Sequence, residues 1–183
     1  MSRLLQAAGI LWMCCIGPAM ASPDLWQALR SGDAVALVRH AEAPGIGDPP
    51  GFRLDDCGTQ RNLSAEGRAQ AARLGEAFRR EGIAAAEIRS SAWCRCRDTA
   101  TGLALGPVQA APALNSFFGA PGSAGDSTAA LRQLIAGLPP GKPAVLVTHQ
   151  VNITALTGIY PRSGEMIVVR RDGFAVLGRL TGD

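Results

Sequence analysis

The chain has 183 residues and a formal net charge of +3, from 18 Lys and Arg against 15 Asp and Glu. That length suits one domain with a well-buried core. Like charges form no block, so neither a nucleic-acid face nor a membrane-binding patch is indicated. At the start of the chain, Arg3 precedes a charge-free run from Leu4 to Met20, and Ala19-Met20-Ala21 is a small-x-small cleavage signal. This pattern predicts a signal peptide over residues 1–21, cut before Ser22, and hence a periplasmic or secreted domain over 22–183. The apolar run is short for a span and is interrupted by Gln6, Gly9, Gly17 and Pro18, so no membrane anchor is expected after cleavage.

Ala34 to Val38 is a short continuous apolar run, the pattern of a strand buried on both faces. A loop rich in Gly, Pro and Asp follows, from Pro44 to Asn62. Ser64 is placed to cap a helix running to about Arg80, with Gly67, Ala71, Leu74 and Phe78 on one face. Glu87 to Arg89 is a second, weaker strand, and Cys94 to Leu103 a second helix. Gly119 to Ser127 reads as a mobile surface loop. Leu131, Leu134, Ile135 and Leu138 form the stripe of a later helix, stopped by Pro139-Pro140. Ala144 to Val147 is a further buried strand. Met166 to Val169 and Phe174 to Leu177 flank Asp172-Gly173, a hairpin signature. The order predicts an α/β fold: a mostly parallel central sheet flanked by helices on both faces, with a C-terminal β-hairpin.

Three cysteines remain beyond the signal: Cys57, Cys94 and Cys96. In an oxidising compartment, one disulfide and one free thiol is the simplest arithmetic. Cys94 and Cys96 are too close to suit each other, so Cys57 is expected to pair with one of them. A structural zinc site would need a fourth ligand that has no evident source, so no metal is expected.

The chain has two histidines, and each directly follows a strand: His40 in Val38-Arg39-His40-Ala41-Glu42, and His149 in Val147-Thr148-His149-Gln150. Ligands in open α/β sheets bind beyond the carboxyl ends of the strands, so both stand at the functional edge. Ser90-Ser91-Ala92-Trp93-Cys94-Arg95-Cys96-Arg97-Asp98-Thr99-Ala100 reads as a strand end, a polar turn and a helix start carrying arginines. Backbone donors and the dipole at such a start favour an anion, and a guanidinium adds bidentate contacts.

Together these segments resemble the histidine phosphatase superfamily, which also includes the cofactor-dependent phosphoglycerate mutases. Arg39-His40-Ala41-Glu42 resembles its Arg-His-Gly/Ala signature, and Thr148-His149 its second-histidine motif. The Ser90-Ser91 segment resembles its Ser-Ser-x-x-x-Arg-x-x-x-Thr-Ala signature, which makes Arg95, not Arg97, the matching arginine. Asn62-Leu63-Ser64-Ala65-Glu66-Gly67 resembles its Leu-Thr/Ser-x-x-Gly helix start. The resemblance implies a phosphoglycerate mutase-like fold and a phosphatase that needs no metal or other cofactor. His40 would become phosphorylated, with Arg39, Arg95 and His149 around the phosphoryl oxygens.

One position departs from the pattern. Where mutase-like relatives carry a general-acid Glu, this chain has Ser116, in Ala113-Leu114-Asn115-Ser116. A serine is a poor proton donor near neutral pH. Glu42 and Asp126 are the substitute candidates, although loop fixation is the ordinary role for Glu42 and helix capping for Asp126. The expected partner is a phosphorylated small molecule, with an envelope sugar phosphate as the first guess. A phosphoprotein substrate is the alternative within catalysis, and a phosphate-binding pseudoenzyme is the alternative outside it.

Overall fold

The computed structural model describes residues 24–182, so the expected signal peptide at 1–21 lies outside them. Among the described residues no helix is long and apolar enough to cross a membrane. The elements run α1 (Leu25–Ser31), β1 (Ala34–Arg39), α2 (Ala65–Arg80), β2 (Glu87–Ser90), α3 (Cys94–Gly102) and β3 (Val108–Ala110). They continue as α4 (Ala124–Ala136), β4 (Ala144–Thr148), α5 (Gln150–Thr157), β5 (Met166–Arg170) and β6 (Val176–Leu180). The strands form one sheet in the order β3-β2-β4-β1-β5-β6. The pairs β3/β2, β2/β4 and β4/β1 are parallel, while β1/β5 and β5/β6 are antiparallel. The mostly parallel sheet and terminal hairpin are thus as the sequence predicts.

Alternation along the central strands divides the core into two layers. Ala34, Ala36 and Val38 of β1 pack with Leu74 and Phe78 of α2 and with Cys96 and Ala100 of α3. Val35 and Leu37 point the other way, into a layer that includes Leu131 and Ile135 of α4 and Ile153 and Leu156 of α5. Both faces are therefore covered, which explains why β1 and β4 read as unbroken apolar runs. Burying each large side chain, Phe78 for example, contributes about 1.5–3 kcal/mol. Ser64 caps α2 by accepting the Gly67 N–H at 2.9 Å.

Several elements depart from expectation. Helix α4 begins at Ala124, inside the segment expected to be a loop. Packing of Leu131 and Ile135 stabilises a helix that extends upstream through Gly125, Ser127 and Thr128, whose own propensities are weak. Helix α5 was not predicted, because Val151, Ile153, Thr154 and Thr157 are β-branched. It forms against the sheet and ends at Gly158, whose φ of 73° is in the left-handed region. Strand β6 starts at Val176 rather than Phe174, because Gly173 and Phe174 both take positive φ in the turn.

The long loop after β1 is fastened to the start of α3. Cys57 and Cys94 are joined by a disulfide with their Cα atoms 5.7 Å apart, and Cys96 is a buried free thiol. Gln60 adds to this fastening: its Oε1 accepts the Cys94 N–H, and its Nε2 donates to the Arg53 and Leu54 carbonyls. The bridge spans 37 residues of sequence. In the chain-entropy account, a loop of that size contributes about 3–4 kcal/mol. Peptide mapping without reduction is expected to recover Cys57 and Cys94 in one linked species, with Cys96 alkylated only after unfolding. Cys57→Ser is expected to lower unfolding stability by the same 3–4 kcal/mol order. Recovery of Cys57 and Cys94 as separate alkylated peptides would show that the bridge does not form.

Candidate active site

The two histidines meet because of strand register. Arg39 of β1 is paired with Thr148 of β4 in parallel, so the next residue on each strand emerges side by side at the carboxyl edge. The His40 N–H continues the ladder to the Thr148 carbonyl at 3.0 Å. The two imidazole rings stand 5.6 Å apart between centroids, crossed at 69°. His40 is 3% exposed and His149 4%. From the neighbouring strand, the Ser91 N–H donates to the Val147 carbonyl at 3.0 Å. Ser91 Oγ lies 2.9 Å from His149 Nε2.

His40 Nδ1 lies 2.8 Å from the Ala41 carbonyl oxygen. A carbonyl only accepts, so Nδ1 carries the proton and the free lone pair is on Nε2. Burial, reinforced by the positive charges of Arg95, Arg61 and Arg39, pushes the His40 pKa down to about 3 despite that hydrogen bond. His149 is held well below its ordinary value by burial first, then by His40 and the same arginines. Both rings are therefore neutral near pH 7. Thr99 explains one more position of the α3 motif: it accepts the Ala41 N–H at 2.9 Å and donates to the Arg95 carbonyl at 2.7 Å. The helix thereby holds the backbone next to His40.

Three guanidinium groups line the same cavity, whose volume is about 550 Å³. Arg39 and Arg95 were candidates from the sequence, and Arg61 was missed. Its only signal was its place directly before the Asn62-Leu63-Ser64 helix start. Arg97 is exposed and outside the cavity lining, so the structure places Arg95 of the two at the site. Arg39 Nη1 donates to the Pro161 carbonyl at 2.9 Å. Arg61 is braced by the Gly47 carbonyl at 2.7 Å and by the Ala43 carbonyl. Arg95 makes a bidentate pair with Asp48, at 2.7 and 3.2 Å. The expected set of backbone donors at the start of α3 is only partly available to an anion, because Gln60 accepts the Cys94 N–H. The start of α5 is the better placed one, since Gln150 and Val151 line the cavity.

Neither candidate acid reaches the cavity lining. Glu42 is turned toward α2, where Ser64 Oγ donates to its carboxylate, and its own N–H donates to Gln70 Oε1 at 3.0 Å. That is the loop-fixing role. Asp126 is exposed in the first turn of α4 and neither lines the cavity nor caps the helix. Ser116 does line it. Asp48, a loop residue that no motif marks, is the one carboxylate in the lining among the described residues. Besides Arg95, it accepts Trp93 Nε1 at 2.9 Å and the Arg61 N–H at 3.1 Å. These donors, Arg95 first, outweigh burial and hold its pKa below the ordinary carboxylate value. Asp48 is therefore ionised, a brace for Arg95 and not a proton source. Cys96 lies 3.4 Å from His149 Nε2, and burial pushes its pKa up to about 12, which keeps it a neutral thiol. Among the described residues, no group of three or more His, Cys, Asp and Glu is arranged to hold a metal.

The neutral histidines have a consequence for stability. Their folded-state pKa values lie below those of the unfolded chain, so the unfolded state binds more protons as pH falls below about 6.5. Stability is therefore complete above that pH and declines toward the folded values. Between pH 7.5 and 5.5 the loss is expected to be about 1 kcal/mol per histidine, read from urea unfolding. Replacing both histidines with Asn should flatten this dependence; an unchanged slope would show that other groups cause it.

The sequence model of the histidine phosphatase superfamily, branch 1, matches residues 35–119, the stretch that carries His40, Arg61, Arg95 and Ser116. No curated protein matches the chain in sequence. Among solved structures, the fold is similar to that of the protein histidine phosphatase SixA complexed with tungstate. That pair is 16% identical with a TM-score of 0.57, over 81% of this chain and 97% of the other. It is also similar to a SixA from Agrobacterium tumefaciens: 22% identical, TM-score 0.56, over 82% and 98%. A mycobacterial glucosyl-3-phosphoglycerate phosphatase is 18% identical with a TM-score of 0.54, over 79% and 94%. The fold, the matched segment and the paired histidines agree: residues 35–119 match the histidine phosphatase superfamily model, and the described chain shares the fold of phosphatases similar to that family.

Proposed function

We propose that this protein is an exported phosphomonoesterase that works through a phosphohistidine on His40, with no metal in the reaction. The observation that carries this reading is the free Nε2 lone pair of a neutral, buried His40, set among three guanidinium groups. A phosphate monoester is dianionic, so a neutral nucleophile approaches it without repulsion, and the arginines supply the charge that a metal would otherwise bring. Nε2 attacks phosphorus as the P–O bond to the leaving group breaks, and the electron pair leaves with that oxygen. Water then attacks the phosphohistidine, the N–P bond breaks, and its pair returns to Nε2. The proton lost by that water balances the one taken up by the leaving group.

His149, Arg39, Arg61 and Arg95 border the place where the transferred group would sit, and their hydrogen bonds and charge favour the transition state. Export rests on the signal-peptide pattern at 1–21 and is consistent with the Cys57–Cys94 bridge. An envelope sugar phosphate is supported by export and by the likeness to a glucosyl-3-phosphoglycerate phosphatase. A phosphoprotein is supported by the likeness to the protein histidine phosphatase SixA. The complete histidine and arginine set supports turnover over the binding-only alternative.

Brief incubation with labelled p-nitrophenyl phosphate and an alkaline quench is expected to trap an acid-labile phosphoenzyme, absent in His40→Ala. Unchanged labelling of that variant would refute the assignment. Arg95→Ala is expected to lower kcat/KM by about 10²-fold or more, the scale of losing one transition-state donor. Arg97→Ala should stay within a few-fold of the parent. A larger loss for Arg97 than for Arg95 would shift the assigned arginine by two residues.

A further inference from the structure

The catalytic floor is polar, but its entrance is not. Among the described residues, four large apolar side chains are exposed: Ile46, Leu54, Phe118 and Tyr160. Three of them line this one cavity: Ile46 at 92% exposure, Phe118 at 58% and Tyr160 at 66%. Apolar side chains scattered singly over a surface need no explanation, whereas convergence on the mouth of a catalytic cavity points to what enters it. The aromatic surface also extends inward. Trp93 lies 5.2 Å from the His149 ring, and Phe52 lies 6.0 Å from Trp93. Tyr160 stands 5.9 Å from the Arg39 guanidinium. Aromatic rings therefore flank the way out from the arginine-lined floor.

A second observation concerns the leaving group. Among the described residues, the cavity wall carries one carboxylate, Asp48, and it is clamped to Arg95; Ser116 stands at the acid position, and Glu42 is turned away toward Ser64. His149 Nε2 is already engaged by Ser91 Oγ at 2.9 Å and Cys96 at 3.4 Å, and burial holds the ring well below its ordinary pKa. Departure of a sugar or alkyl alkoxide without a proton forfeits the 10²–10⁴-fold that general acid catalysis typically supplies. A phenoxide, the conjugate base of a group with pKa about 10, leaves unaided far more readily.

We infer that the physiological substrates are aryl phosphomonoesters, with the ring seated against Ile46, Phe118 and Tyr160 and the phosphoryl group among the arginines. This inference rests on the phosphohistidine reading above and specifies its leaving group. His40 Nε2 forms the N–P bond, the P–O(aryl) bond breaks, and the phenoxide takes its electron pair and then a proton from solvent water. A sugar phosphate fits this entrance less well, since its hydroxyls would lose water against Ile46, Phe118 and Tyr160 without hydrogen-bond partners there.

Four phosphates separate the two arguments: phenyl phosphate, hexyl phosphate, glucose 6-phosphate and acetyl phosphate. Phenyl phosphate is expected to exceed hexyl phosphate and glucose 6-phosphate in kcat/KM by about 10²-fold, the scale of an absent acid. Its KM should be about tenfold below that of acetyl phosphate, a better leaving group without a ring, the order gained by burying an aromatic side. Among substituted phenyl phosphates, kcat should rise steeply as the phenol becomes more acidic. Phe118→Ser and Tyr160→Ser, at exposed positions that leave the core intact, should each raise KM for phenyl phosphate and narrow its advantage over acetyl phosphate.

Hexyl phosphate or glucose 6-phosphate turned over as well as phenyl phosphate would overturn the inference. So would a kcat independent of phenol acidity, which would reveal a proton donor. In either case labelling of His40 would persist and the phosphatase reading would stand. Loss of turnover on acetyl phosphate together with loss of His40 labelling would instead remove that reading and the inference with it. A phosphotyrosine peptide assayed beside phenyl phosphate identifies the source of the ring. A peptide rate matching phenyl phosphate assigns it to tyrosine in a protein, and a much slower one assigns it to a free aryl ester.

Discussion

Everything at this site hangs on the parallel pairing of β1 with β4. That pairing aligns Arg39 with Thr148, and the His40 N–H extends it one hydrogen bond further. Two residues more than a hundred positions apart in the chain thus leave adjacent strands at the same level. A slip of one residue on either strand would turn one imidazole toward the opposite face of the sheet. The register is protected by the apolar alternation behind it, since the same slip would exchange the two core layers of β1. The placement of the two histidines and the core packing are therefore specified by one set of contacts.

Gathering Arg39, Arg61 and Arg95 around two imidazoles is electrostatically unfavourable without a counter-charge, and the fold answers this in two ways. The histidines stay neutral, and Asp48 supplies a negative charge held by Arg95, Trp93 and the Arg61 backbone. Asp48 sits in a long loop with little regular structure, so its position depends on what anchors that loop. The Cys57–Cys94 bridge, Gln60 and Arg61 provide the anchors. The bridge joins at the residue before Arg95, and Thr99 joins the same helix to the backbone beside His40. Helix α3 is the common support for Arg95 and His40, which accounts physically for the spacing of its motif.

The substrate's two ends meet different physics. The floor is charged and hydrogen-bonded in place, suited to a phosphoryl group whose oxygens are the same in every ester. The mouth is formed by Ile46, Phe118 and Tyr160, all exposed and outside the sheet. On the proposed reading, selectivity is separable from catalysis: the strands and α3 hold the transferred group, and the loops meet the group it leaves.

Read alone, the sequence identifies the features that rest on short-range pattern. The apolar runs of β1 and β4, the Ser64 cap, the Asp172-Gly173 turn, and the two histidines at strand ends are all local statements. Periodicity and cap chemistry carry them without knowledge of the partner elements. The α/β class follows from their order. What it could not supply was set by contacts between segments far apart. Helix α5 is built from β-branched residues and gains its stability from Ile153 and Leu156 against the sheet. Helix α4 reaches back to Ala124 for the same kind of reason. Phe174 adopts a positive φ only in the closed turn and so displaces β6. Arg61 and Asp48 look like loop residues until the loop is folded over α3. Asp126, by contrast, is removed from the chemistry by the helix that carries it, and Glu42 by Ser64. The choice of Cys94 over Cys96 is likewise tertiary. The two are separated by one residue, but Cys94 meets the loop and Cys96 faces the core beside His149, because successive helical positions point about 100° apart.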